Sequence, residues 1–257
     1  MAVIRNPGEN SGFRIEVDIR TEINLKRFGE ITSPIRDVIS KIDPEVEKSD
    51  VFTAVKKEGA GLAKKTDLFV YKNESKFCNL SIKSGSGNSV HQENIYEFVE
   101  FLEKSGAPKE QIHALLFYHW GDGTIDGTGP IDERLDSTKI KKQHPETIAI
   151  LQTLFNDYKH GIVCRALLGK VDGTEPDHLL YLENRSDQEL QIAPMRSVVD
   201  FHCNIPKVAR DLKVGNLNFQ NWNRCLSGQE TYTNKTRNDV QFKWGNIHKD
   251  IEVIEYA

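Results

Sequence analysis

Apolar and polar positions are most sharply ordered in two runs flanking a polar break. Leu68-Phe69-Val70-Tyr71 is a short β-like run, and Phe77-Cys78-Asn79-Leu80-Ser81-Ile82-Lys83 is a second. Between them, Lys72 to Lys76 (KNESK) holds residue types that are poor in strand interiors and common in turns. The pattern predicts a β-hairpin with KNESK as its loop. Side chains alternate along a strand. Cys78, Leu80 and Ile82 therefore share an apolar face, and Phe77, Asn79, Ser81 and Lys83 share the other.

Elsewhere apolar residues recur every three to four positions and predict helices. Ser33–Ile42 has a serine suited to the N-cap, Pro34 in the first turn and a stripe of Val38, Ile39 and Ile42. Ser89–Lys104 has Ser89 as N-cap and Gln92 at the capping-box spacing, with Ile95, Phe98, Val99 and Leu102 inward. Pro108–Trp120, a helix opening at His144-Pro145-Glu146, and Lys159–Gly169 follow. Val51–Val55, Asp177–Glu183, Glu189–Ile192, Val198–His202 and Val240–Trp244 are β-like, with a turn at Asn184-Arg185-Ser186-Asp187. Gly12–Ile31 mixes β-like and polar positions and stays untyped. Gly121–Gly129 (GDGTIDGTG) contains D-x-T-x-D but lacks the terminal Glu of an EF-hand loop, so it reads as a plain loop. The expected fold is α/β, a central mixed β-sheet flanked by helices, in one domain spanning residues 1–257 with no linker.

Composition narrows the class. A chain of 257 residues suits one large α/β domain. No run of about 18 apolar residues occurs, which excludes a transmembrane helix. The start, MAVIRNPGENSG, lacks a basic-then-apolar leader pattern. Cys78, Cys164, Cys203 and Cys225 form no CxxC pair, and the histidines show no HxH or HExxH spacing. A zinc site is not indicated, and the cytoplasm is the expected compartment. Net charge is −4, yet from Ile205 to Lys249 eight Lys/Arg face three acids. That local excess, with interleaved amides and aromatics, suits a C-terminal DNA-recognition region. Asn218, Gln220, Arg224, Lys235, Arg237, Gln241 and Lys243 are its candidate contacts, amides toward adenine and basic groups toward guanine or phosphate.

The hairpin carries the chemistry. Asp67 enters one strand where Ser81 and Lys83 leave the other. An acid can hold a hard cation through oxygen, and the cation can polarise a phosphate and lower the pKa of an attacking water. A lysine beside it can position that water or neutralise developing charge. Ser84-Gly85-Ser86-Gly87 leaves room for a nucleic-acid backbone. Lys65, Ser84, Ser86, Asn88 and Gln92 are further candidates for DNA contact. Glu58 and Glu93 are candidates to complete the metal site.

The segment Lys64–Gln92 resembles the PD-(D/E)xK nuclease motif, which runs Asp, hairpin, then (D/E)-x-K. Asp67 matches the Asp and Lys83 the Lys, whereas Ser81 stands where the family usually has an acid. The MspI-like branch of type II restriction endonucleases is the closest resemblance. It continues through His160–Lys170, Glu175–Leu180 and the late QFKWGN. The resemblance implies a restriction-endonuclease-like fold and Mg²⁺-dependent cleavage of double-stranded DNA at a short sequence. Asp67, the Ile82 backbone carbonyl and, directly or through water, Ser81 would hold the metal, with Lys83 orienting the water. It also implies a cognate DNA methyltransferase as functional partner and is compatible with a homodimer. Gln92 and Tyr96, at i and i+4 of the expected helix, resemble the Q-x-x-x-Y element of RecB-type nucleases, which would favour a structure-directed repair nuclease. The alternative for that pair is a cap and a core tyrosine. A nuclease-like fold that binds DNA without cutting is the third reading, carried by Ser81.

Overall fold

Ile15, Ile19 and Ile23 recur at the four-residue spacing of one helix face, and all three are buried. They form the inner stripe of α1 (Ser11–Ile23), which answers the untyped N-terminal stretch. In this computed structural model, residues 11–56, 65–85, 88–130, 134–170, 172–183, 190–207, 212–221 and 237–255 are described. The chain divides into two compact units, 1–88 with 167–201 and 246–257, and 89–166 with 202–245.

The first unit is built on a six-stranded sheet in the order β1-β2-β3-β4-β6-β7. Its strands are β1 (Lys26–Arg27), β2 (Val51–Val55), β3 (Leu68–Lys72), β4 (Ser75–Ser84), β6 (His178–Leu182) and β7 (Leu190–Pro194). Only the β4–β6 pairing is parallel, so the sheet is mixed as expected. α1 and α2 (Ser33–Ile42) supply isoleucines to a core that takes Phe52, Leu68, Val70, Cys78, Leu80, Ile82, Leu180 and Ile192 from the sheet. Burial there pushes the Cys78 thiol up to about 12.

The hairpin forms, with a shorter loop than expected. Lys72 pairs with Ser75, which leaves only Asn73 and Glu74 in the turn, at φ 50° and 67°. Positive φ at both positions matches the twist of the flanking strands. Asn73 suits such a turn, and it also binds β2, its Oδ1 accepting from the Val51 N–H at 2.9 Å. A bulge between Val70 and Tyr71 breaks strict alternation. Phe77 therefore leaves the Asn79–Ser81–Lys83 face and packs against the core, edge-on to Phe52.

The second unit holds a four-stranded sheet in the order β5-β10-β9-β8. Its strands are β5 (Asn88–Asn94), β8 (Lys213–Val214), β9 (Leu217–Gln220) and β10 (Asp239–Trp244). Phe219 and Phe242 lie 5.4 Å apart, with Phe98 of α3 (Ile95–Lys104) and Phe155 of α6 (Pro145–Asp157) against them. α4 (Lys109–Trp120), α5 (Ser137–Gln143) and α7 (Lys159–Leu168) complete the helices of this stretch.

Two sequence expectations are corrected. The helix expected from Ser89 begins at Ile95, because Asn88–Asn94 is drawn into pairing with β10, a partner about 145 residues away that no local pattern reveals. The true N-cap is Asn94, whose side chain accepts from the Tyr96 N–H. Val198–His202, β-like in composition, lies in helix α8 (Met195–Asn204). Met195, Val198, Val199 and His202 are all buried, a helical stripe that outweighs the β preference of two valines. After β10 comes a last helix, Ile247–Glu255. No helix among the described residues is long and apolar enough to cross a membrane.

Candidate active site

Antiparallel pairing of Leu68 with Leu80, extended by the Asp67 N–H donating to the Leu80 carbonyl, sets Asp67 opposite Ser81. Opposed residues share a face, and Lys83 follows two positions on, so all three project from the side of the sheet away from the α1–α2 core. Asp67 Oδ2 then gathers three donors. They are the Ile82 N–H at 2.6 Å, the Ser81 hydroxyl at 3.4 Å and the Lys83 ammonium at 3.5 Å. Lys83 Nζ also donates to the Ile82 carbonyl at 2.9 Å. An ammonium thus rests between the carboxylate and the carbonyl. The side chains of Asp67 and Lys83 keep 25% and 19% of their exposure, so both remain reachable.

The surrounding strands fix this constellation. The Asn79 N–H donates to Asp177 Oδ2 at 2.8 Å, and Asn79 Nδ2 donates to the Glu175 carbonyl at 2.8 Å. Thr66 Oγ1 donates to the Thr174 carbonyl. These clips register β6 against β4, so that Leu179 lies beside Ser81 and Tyr181 beside Lys83. The Tyr181 hydroxyl donates to the Gly85 carbonyl at 3.1 Å, and Asn88 Nδ2 donates to the same oxygen at 2.7 Å. Gly85 sits at φ 64°, where a side chain is strained, so the turn after Lys83 is held by glycine geometry and two donors. Sequence reasoning passed over Tyr181, Asn79 and Asp177 in this role. It also passed over Glu183, the acid one residue beyond β6, at the sheet edge where β4 ends. A tyrosine two positions before an acid at a strand end was the available signal.

The other expected residues are distributed unevenly. Asp67, Ser81, the Ile82 backbone and Lys83 are brought together. Glu93 is not a member of that cluster. It is buried in the second unit, where Arg165 grips both its oxygens at 2.8–3.1 Å and His91 Nε2 lies 2.7 Å from Oε1. Its oxygens are thus engaged within the protein, by a guanidinium and an imidazole. Gln92 lies on β5 and donates to Asp239 Oδ2 at 2.7 Å, so it does not share a helix face with Tyr96. Asn88 holds the turn after Ser84, accepting from the Ser84 N–H. Lys65 is half-buried two positions before Asp67. Glu58, Ser86, Arg224 and Lys235, with the Asn184–Asp187 turn, lie outside the described residues.

In the second sheet, Asn218 is paired with Lys243 and Gln220 with Gln241. These four half-buried residues alternate with buried Leu217, Phe219, Val240, Phe242 and Trp244, as the pattern predicted for Val240–Trp244. Gln241 Nε2 donates to Ser89 Oγ at 2.7 Å. Arg237 instead supports the glycine-rich loop, donating to the Gly127 carbonyl and lying 5.5 Å from the Trp120 ring. Within that loop Asp122 accepts from Thr124 and Gly129, and Asp126 from Thr128.

The Asp67 carboxylate, the Ile82 carbonyl and the Ser81 hydroxyl gather at one end of the hairpin, the first two holding the Lys83 ammonium and the third bonded to Asp67 Oδ2. All are hard oxygen donors of the kind that Mg²⁺ accepts. Among the described residues no group of three or more His, Cys, Asp or Glu is placed to hold a metal ion, and this cluster supplies one carboxylate. No family model matches the sequence, and no curated protein matches it either.

Proposed function

We propose that this chain is a Mg²⁺-dependent endonuclease of the PD-(D/E)xK type that cuts double-stranded DNA at a short sequence, as a type II restriction endonuclease does. The observation that carries this reading is the Lys83 ammonium lying between Asp67 Oδ2 and the Ile82 carbonyl. Those two oxygens already hold one cation, and they are the pair that would hold a divalent one, with Ser81 contributing its hydroxyl or a bridging water. Mg²⁺ bound there would polarise the scissile phosphate and lower the pKa of a water. Asp67 fixes the geometry, because its Oδ2 is pinned by the Ile82 N–H at 2.6 Å. Lys83 is the mobile member. Its ammonium can turn from Asp67 to a phosphate oxygen or to the attacking water, neutralising charge as the 3′ oxygen leaves and a 5′ phosphate remains. With Ser81 in place of an acid, the site has one negative charge fewer than a two-carboxylate site, so half-saturation above micromolar Mg²⁺ is expected.

The structure-directed repair reading needed Gln92 and Tyr96 on one helix face, and that premise is removed by the strand Asn88–Asn94. The test is plasmid DNA incubated with Mg²⁺ and the full chain, beside Asp67→Ala and Lys83→Ala. Discrete fragments that disappear in both variants support the proposal. A smear that disappears moves it to nonspecific cleavage. DNA that is bound but intact on several unmethylated substrates sinks it in favour of the non-cleaving reading.

A further inference from the structure

Beside the polar face of the second sheet lies an open cleft of about 570 Å³. Thr138 and Lys141 of α5 line one wall, and Lys213 of β8 with Asn218 and Gln220 of β9 line the other. The strand register makes this more than a solvated sheet face. Lys213 and Lys243 are the cross-strand neighbours of Asn218 on either side, so one row runs lysine, amide, lysine. The next row pairs Gln220 with Gln241. A carboxamide offers a donor and an acceptor side by side, which is the complement of an adenine edge. Ammonium groups at either side suit the phosphates that flank a base. Asp136, also at the cleft, uses Oδ1 to cap α5 by accepting from the Lys139 N–H at 2.8 Å.

We infer that the cleft between α5 and the β8–β9 edge takes one strand of substrate DNA, with Lys141 and Lys213 on phosphates and Asn218 and Gln220 at base edges. This inference rests on the nuclease reading for its choice of ligand and adds the recognition element to it. It gives a role to the basic stretch Thr138–Lys142 (TKIKK) of α5, which the hairpin chemistry leaves unused.

The test uses the full chain in EDTA, so that no strand is cut, with labelled 20-base-pair duplexes of randomised sequence read by fluorescence anisotropy across a salt series. The double variant Lys141→Glu/Lys213→Glu is expected to bind at least about tenfold more weakly. Its slope of log affinity against log salt should be shallower by roughly two, since each phosphate contact contributes about 0.9. Lys104→Glu, at an exposed position paired to Glu100, is the control and should bind as the parent does. Asn218→Ala/Gln220→Ala should keep the salt slope and change which duplexes are recovered from the pool. Unchanged affinity and slope in the lysine variant, with its fold intact by circular dichroism, overturn the inference. Plasmid cleavage measured alongside separates the two claims. DNA bound through the lysines but never cut keeps the cleft and removes the nuclease. DNA cut while binding ignores the lysines keeps the nuclease and removes the cleft, and DNA neither bound nor cut removes both.

Discussion

In the first sheet the central strand β4 is buried on both faces over residues 78–82, where Asn79 and Ser81 keep only 2% and 4% of their exposure. In the second sheet β9 and β10 alternate buried apolar residues with half-buried polar ones. The difference follows from pairing. β4 lies between β3 and a parallel β6 in a covered mixed sheet, where both faces are expected to be shielded. A sheet with one uncovered face leaves polar side chains in solvent and available to a partner. Polar residues therefore mean different things in the two places. Buried polar groups around β4 are tied to one another and hold a geometry, whereas those on β9 and β10 form a surface.

Breaking that contrast should produce its largest effect at Asp67 and Lys83. Either alanine variant should lower plasmid cleavage by at least about 10²–10³-fold, the usual cost of removing a preorganised electrostatic group. Affinity for DNA in EDTA should change little. If cleavage survives in both variants, the hairpin is only scaffold.

Next in size is Glu93→Ala, which strands a half-buried Arg165 and a buried His91. A destabilisation of about 1–3 kcal/mol in urea unfolding is expected. A variant with undiminished stability but lost metal dependence would instead return Glu93 to the metal site. Acid sensitivity comes third. Burial pushes His119 down to about 4 and His202 down to about 3 from 6.5, and His202 packs edge-on against Trp244 while its Nδ1 accepts from the Asn216 N–H. Both imidazoles are neutral when folded, so their stabilisation is complete above about pH 6.5 and is lost as pH falls toward the folded values. Between pH 7 and pH 5 each should remove about 1–2 kcal/mol, with His202→Gln flattening part of the decline in urea unfolding. No decline over that range would mean that the imidazoles are not shielded. The smallest expected effect is Tyr181→Phe. It removes one of two donors to the Gly85 carbonyl, and about 0.5–1.5 kcal/mol of stability should go with it. A larger loss of cleavage than of stability would show that the turn after Lys83 must be rigid for chemistry.

Local pattern was enough for several parts of the molecule. The 3.6-residue stripes of α2 and α6 and the alternation of β10 carry their own signals, because each element buries one face and the spacing records it. The hairpin was legible for the same reason, down to the pairing that brings Asp67, Ser81 and Lys83 to one face, since two short strands and a turn are a local unit. Other features needed partners distant in sequence. β5 is a strand because of β10, and α8 is a helix because its two valines, with Met195 and His202, are buried as one helical stripe. Glu93 is bound by Arg165, 72 residues away. The two compact units interleave along the chain, crossing at 88/89, 166/167, 201/202 and 245/246, so no composition shift marks them. The order of residues alone thus determined which acid and which lysine meet. Long-range pairing decided which polar groups are spent inside the protein and which face outward, because that choice depends on what covers each side of a sheet.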